Sequence, residues 1–425
     1  VLGRNGLMGV AVKALLASGV ALACLAATAA FAQPEERLRQ GVLDRDRPAY
    51  AARGIRVGTV LLYPALDISA AYDDNIYATK NNAKSDVVFQ TRPELKVESN
   101  LPRHAFWLRG DVLNGTYIDH AKENRTDYYI GGGTRIDIQR TTNWNTNIEY
   151  QKDTEDRGSP DADGAAVEPV NFRRFQADSA LRYRPGRFNI EAGGIFENYN
   201  FDNVALIGGG FQNNKDRNRD VAAGYGRLGY DISPGYELFA LGMYSITNYA
   251  QHFDDDGFDR DSHGYQAEAG ARFEVTNVIS GEASVGYLSR DFFDGRLPGV
   301  SGVSTEAKAN WYLTRLTTLN FTASRRAQET TLFGAAGYID SVFGAGVDHE
   351  LRRNLILSAD LRYDNRDYVG VVRTDDQYEA RMRALYLLNR NYSVAGEYHF
   401  YDRNSSVGSE DFIRNTFMVT FRAQI

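Results

Sequence analysis

The 425 residues contain a single cysteine, Cys24, which lies inside an apolar N-terminal stretch. One thiol builds no disulfide framework and no cysteine metal centre. Positive charge is in short supply: 48 Lys and Arg stand against 55 Asp and Glu, a formal charge of −7. That balance lacks the basic footprint of a nucleic-acid binder. Beyond the N-terminus there is no apolar run of about 18 residues, which excludes a helical membrane bundle. No H-E-x-x-H, G-x-S-x-G or P-loop occurs. The six histidines, His104, His120, His252, His263, His349 and His399, show no metal-ligand spacing. The sequence therefore assigns no catalytic residue, metal or cofactor, and the chain reads as a non-enzyme.

What is present begins with an export signal. Arg4 and Lys13 precede the apolar stretch Ala14 to Ala29, and Ala30-Phe31-Ala32 supplies an A-x-A site. This predicts a signal peptide over residues 1–32, cleaved before Gln33. Cleavage would remove Arg4 and Lys13, taking the charge to −9, and would remove Cys24 before the chain meets an oxidising periplasm.

The remainder is rich in Tyr (26), Phe (22) and Gly (40), with only 10 Pro and a mean hydropathy of −0.43. Its apolar residues alternate. Val87, Phe89, Thr91, Leu95 and Val97 share one face, opposite Gln90, Arg92, Glu94, Lys96 and Glu98. The same period of two runs through Tyr128–Ile138, Tyr265–Val275 and Leu355–Tyr363. Such segments, about 10 to 14 residues long, suit tilted strands crossing a membrane with one face in lipid and one in water.

Connections alternate as well. Short ones fall near Leu101–Arg103, Arg140–Asn143, Arg184–Arg187, Ser233–Gly235, Thr276–Asn277, Thr314–Leu316, Leu351–Asn354 and Leu388–Asn391. Longer polar loops lie at Asp74–Ser85, Asp153–Glu168, Asp202–Asn218, Gln251–Asp261 and Asp294–Gly302, with smaller ones after Arg326, Asn365 and Arg403. The pattern predicts an all-β, transmembrane antiparallel up-and-down barrel of about 18 strands (16 to 20), with short periplasmic turns and longer extracellular loops. Residues 33–55 form a periplasmic N-terminal segment in this scheme, and 56–425 the barrel.

By parity the inward, pore-lining charges are Arg92, Glu94, Lys96, Glu98, Arg109, Asp111, Arg135, Asp137, Glu282, Arg362, Glu379, Arg381 and Arg383, with Arg182 and Lys308. Mixed signs suit cross-strand ion pairs with weak selectivity better than a strongly selective pore. Trp144 and Trp311 sit beside short turns with lipid-facing parity and predict an interfacial aromatic girdle; Trp107 has no clear side. Pro93, mid-strand and lipid-facing, predicts a bulge. Gly131-Gly132-Gly133 suggests a barrel bend and Gly208-Gly209-Gly210 a flexible loop. The acidic loop Asp254 to Asp261, echoed by Asp161-Ala162-Asp163-Gly164, lacks the terminal Glu of a calcium loop and reads as solvated acid.

The opening segment RGIRVGTVLLYPALDISAAYDDNIYATK, with Gly58, Pro64 and Tyr72-Asp73-Asp74-Asn75-Ile76-Tyr77, resembles the start of the putative beta-barrel porin 2 family of proteobacterial outer-membrane proteins. The resemblance implies an outer-membrane barrel and an association with exopolysaccharide or capsule export. The final strand, Phe417, Val419, Phe421, Ala423, Ile425, alternates as a barrel strand should, but ends in Ile where many barrels carry an aromatic residue.

The resulting expectation is a Gram-negative outer-membrane, porin-like channel for hydrophilic solute or polysaccharide. Its partners would be outer-membrane lipid and the barrel assembly machinery. A closed scaffold or receptor barrel is the alternative, and a rim hydrolase the third.

Overall fold

A computed structural model describes residues 40–162, 164–275 and 278–425. The expected signal peptide and its cleavage site lie outside the described residues, as do Asp163, Thr276 and Asn277.

Eighteen long strands run antiparallel: β1 Val60–Asp73, β2 Asp86–Ser99, β3 Ala105–Tyr117, β4 Arg125–Gln139, β5 Thr142–Thr154 and β6 Asn171–Tyr183. They continue as β7 Phe188–Phe201, β8 Arg219–Ser233, β9 Tyr236–Tyr249, β10 Ser262–Val275, β11 Ile279–Phe292 and β12 Val300–Thr314. The last are β13 Thr317–Gln328, β14 Gly337–Arg352, β15 Leu355–Val369, β16 Thr374–Leu387, β17 Tyr392–Ser405 and β18 Phe412–Gln424. Each pairs with its neighbours in sequence, and β1 pairs with β18 from Ala65↔Gln424 to Asp73↔Thr416. The sheet is closed, so it has no free edge, as a lipid-embedded sheet requires. A three-residue strand, Ile55–Val57, folds back on Val60–Leu62.

The connections sort by end. Eight short turns lie at one rim, helped at Gly186 and Gly235 by positive φ (65° and 81°) that favours glycine. All longer loops lie at the other rim, including one that the sequence reading passed over, residues 118–124, with its single 3₁₀ turn Ala121–Glu123. Four register shifts, at Asp137/Gln139, Asp231/Ser233, Trp311/Thr314 and Glu350/Arg352, all sit beside short turns.

The expected bulge at Pro93 is absent. Its missing N–H leaves a gap between Thr91↔Asn114 and Glu94↔Asp111, but the register resumes unshifted, while Pro93 still pairs with Leu66 on the other side. One lost ladder bond is tolerated where the side chain faces outward.

The outer face carries the exposed apolar residues, among them Leu66, Ile68, Leu228, Leu238, Val285, Leu361, Met382 and Val419. Aromatics band it at both rims. Phe188 stacks near Tyr230 and Tyr392 near Phe421 at the turn end. Tyr128 meets Tyr150, Phe343 and Tyr378 flank Tyr363, and Tyr398 meets Phe417 toward the loop end. Trp144 and Trp311 are exposed on this face at the turn end.

The glycine run in β4 gives space on the inner face. Gly133 lies under Trp107, since a Cβ there would stand 2.6 Å from the indole nitrogen, and Gly131 lies under Tyr129 at 2.2 Å from its hydroxyl. Glycine makes room for large inward side chains, which also places Trp107 on the inner face.

Candidate functional site

The inner wall is charged and almost fully paired. Around the seam the pairs form one chain across four strands. Asp67 (β1) meets Arg422 (β18) at 2.9 Å, Arg422 reaches Glu94 (β2) at 2.7 Å, and Glu94 meets Arg109 (β3) at 2.8 Å. Arg109 then meets Asp111 at 3.1 Å, and Asp111 takes Arg92 at 2.6 Å. Lys96 pairs with Glu98 (2.5 Å), Arg135 with Asp137 (3.2 Å), and Arg182 with Glu191 (2.6 Å). Glu282 takes Arg272 at 2.7 Å, and Lys308 pairs with Glu306 at 2.8 Å. Arg362 pairs with Asp364 (2.7 Å), Arg381 with Glu379 (3.0 Å), and Arg383 with Glu397 (2.9 Å). Every inward charge named from sequence thus has an opposite partner. The pairs neutralise one another locally, so the wall is wet but weakly polarised.

The loop end is different, because a segment crosses it. Residues 155–162 leave β5 and reach the far wall. Arg414 on β18 binds the Asp156 carboxylate at 2.9 Å, and Arg403 on β17 donates to the Gly158 carbonyl at 3.0 Å. Thr330, after β13, donates to Asp161 at 2.6 Å. On the near side Arg217 holds Glu155 at 2.6 Å and stacks 4.1 Å over Phe201, while Arg157 holds Glu123 at 2.5 Å. A loop tied to strands on both sides of a closed ring spans its lumen.

Neighbouring loops lock the crossing. The guanidinium of Arg260, nearly inaccessible, pairs with Asp254 at 2.5 Å and donates to the carbonyls of Thr330 and Ala335 at 2.8 and 2.9 Å. Glu329 sits between Arg219 (3.1 Å) and Arg290 and accepts from the Tyr249 hydroxyl. Burial alone would push its carboxyl up, but Arg290 and Arg219 outweigh it and hold it near a pKa of about 2. Asp216 behaves oppositely: burial, then the Asp255 carboxylate, push it up to about 6. Asp254 and Asp161, singled out from sequence for their spacing, are engaged by Arg260, Arg217 and Thr330. Among the described residues no group of three or more His, Cys, Asp or Glu has metal-holding geometry.

A family model described as putative beta-barrel porin 2 matches residues 47–425. The chain belongs to that family. It is a porin-like β-barrel of the outer membrane. No curated protein matches it. Solved structures similar to this porin-family barrel include OccAB2 of Acinetobacter baumannii, 11% identical with TM-score 0.47, covering 87% of this chain and 98% of that one. OpdK of Pseudomonas aeruginosa with vanillate is 11% identical with TM-score 0.43, covering 86% and 99%. The siderophore receptor PiuA of Acinetobacter baumannii is 9% identical with TM-score 0.49, covering 88% and 82%.

For this porin-family chain, sequence parity found the wall but missed the crossing. Asp156, Arg157, Asp161, Arg217, Arg260, Arg403 and Arg414 were not singled out as one site. Their signal was faint: inward arginines near the loop ends of β17 and β18, and one loop, 155–170, longer than most.

Proposed function

We propose that this barrel is a diffusion channel for small hydrophilic solutes, narrowed at its loop end by residues 155–162. The observation that carries the reading is the tethered crossing, Asp156 to Arg414 and Gly158 to Arg403, set in a lumen lined with paired charge. A scaffold barrel needs no water-facing wall of this kind, whereas a solute path does. The short turns face the periplasm and the loops the cell exterior, following loop length. Passage of a polysaccharide, which the family resemblance suggests, would require the crossing to move aside, so small solutes are favoured.

Single-channel recording on refolded protein tests this. The parent should conduct in small, discrete steps, and an Arg403→Ala, Arg414→Ala variant should conduct more. A parent that never conducts at any loading would turn the assignment to a closed scaffold. An Arg381→Glu, Arg383→Glu variant should assemble and shift its reversal potential toward cations, because both side chains belong to the wall.

A further inference from the structure

Charge and amide dominate the inner wall, but apolar side chains cluster on it in places, as at Ile195, Leu241 and Met243, and again at the turn end. At the turn end Ile356 (β15), Leu385 (β16) and Ala395 (β17) stand in register on the inner face, with Leu387 beside them. Such a row facing water would be unfavourable by about 25 cal/mol per Å². It is covered. Val42, only 1% exposed, seats against all three, and Leu43 packs at its side.

Polar contacts hold the same segment along the wall. The Val42 N–H donates to Thr318 Oγ1 on β13 at 3.0 Å. Arg45 and Arg47 converge on Glu350 of β14, each at 2.9 Å, and Arg47 also closes a turn on the Val42 carbonyl at 2.6 Å. Arg390, in the turn after β16, donates to the Pro48 carbonyl at 3.1 Å, and the Gly54 N–H to the Ile425 carbonyl at 3.2 Å. Residues 41–54 therefore run as a strap inside the rim from β13 to β18.

Seating the strap this way leaves Asp44 and Asp46 exposed. Asp44 lies near Asp348; the protein atoms of the rim around it partly desolvate its carboxyl although its surface is open, and this, then the Asp348 carboxylate, raises its pKa. Asp360 adds a third inward acid in this sector; among the described residues neither it nor Asp44 or Asp46 is in an ion pair. Most wall acids are matched by a base; among the described residues Asp178 and Glu268 are also without an ion pair, but they are held by Asn147 and by Gln266 and Ser284.

We propose that residues 41–52 are a second selectivity element of the channel, a strap resident in the turn-side mouth that narrows it and sets Asp44 and Asp46 beside the solute path, favouring cations. The proposal rests on the channel reading above. A carboxylate without a paired cation acts on passing ions within a Debye length of about 8 to 10 Å.

The test uses the full chain in planar bilayers. Asp44→Asn with Asp46→Asn should lower the cation-to-anion permeability ratio by roughly two-fold or more at low salt, with conductance nearly unchanged. Val42→Asp, which drives a charge into the aliphatic seat, should release the strap, raise conductance, and leave the Asn pair without further effect. Heat-dependent gel mobility checks that each variant is folded. An independent readout needs no conduction: in a Cys24→Ser background, Val42→Cys should react with a water-soluble maleimide at least about tenfold more slowly than Asp46→Cys. Equal labelling rates would overturn the seated strap. A conducting parent whose permeability ratio ignores the Asn pair would overturn the selectivity role alone. A parent that never conducts would overturn the channel reading and the selectivity role together, while the labelling still reports the strap.

Discussion

The two rims of this barrel are narrowed by opposite physics. At the loop end residues 155–162 are held by buried or half-buried ion pairs, Arg217 to Glu155 and Arg414 to Asp156. At the turn end the strap is held chiefly by Val42 in an aliphatic row, with Arg45 and Arg47 on Glu350 as flanking ties. An ion pair withdrawn from water is fragile when one member is lost, because the other stays buried and uncompensated. An apolar seat fails in proportion to the area removed and ignores salt. The lumen thus has one narrowing that answers to charge and one that answers to shape.

The strongest way to break this comparison is to remove one charge. Arg217→Met would leave Glu155 and Asp161 without their cation, at a cost of about 3 to 5 kcal/mol to the crossing. Trypsin should then cut after Arg157 at least about tenfold faster than in the parent, which mass spectrometry of the fragments would show. An unchanged cleavage rate would mean that the crossing does not depend on this pair.

The matching change at the other rim is milder. Val42→Ala removes two methyl groups from the seat and should cost about 1 to 2 kcal/mol. Hydrogen exchange over residues 41–48 should quicken roughly tenfold, with the crossing at 155–162 unaffected. Salt sharpens the contrast further. In 1 M NaCl, where the Debye length is about 3 Å, cleavage after Arg157 should rise a few-fold while exchange in the strap stays level.

The smallest effects are set by pH and differ in sign within the loop end itself. Glu329 is depressed to about 2, so its clamp on Arg219 and Arg290 is complete above its ordinary value of 4.5 and is lost as pH falls toward 2. Asp216 is raised to about 6, so its ionised form opposes packing of loops 202–218 and 250–261. That opposition fades as pH falls through 6 toward 3.8. Intrinsic-rate-corrected exchange of residues 250–258 should slow modestly between pH 7 and 5, and Asp216→Asn should abolish the change.

How far the sequence could be read depends on the range of each interaction. Alternation is local, so the inward side of Arg92, Glu94, Arg109 and Arg381 was legible residue by residue. Which charge meets which was legible only within a hairpin. Arg422 and Glu94 are 328 positions apart and become neighbours only because the ring closes. The crossing was invisible for the same reason, since Asp156 and Arg414 are 258 positions apart. The strap did leave a local trace: Ile356 and Leu385 are aliphatic at inward parity, which a wholly water-facing wall would not favour. Pro93 misled because the ladder between β2 and β3 tolerates one missing donor without a shift of register.

The placement of the three tryptophans gives the barrel its own optical gauge. Trp144 and Trp311 are exposed on the outer face near the turn rim, and Trp107 stands inside over Gly133. Brominated acyl chains should therefore dim two of the three emitters, and a quencher confined to water should reach the third through the lumen. Because β4 keeps no side chain at Gly131 and Gly133, any residue larger than glycine at position 133 would push the Trp107 indole into the aqueous bore, reddening its fluorescence without touching the lipid-side pair.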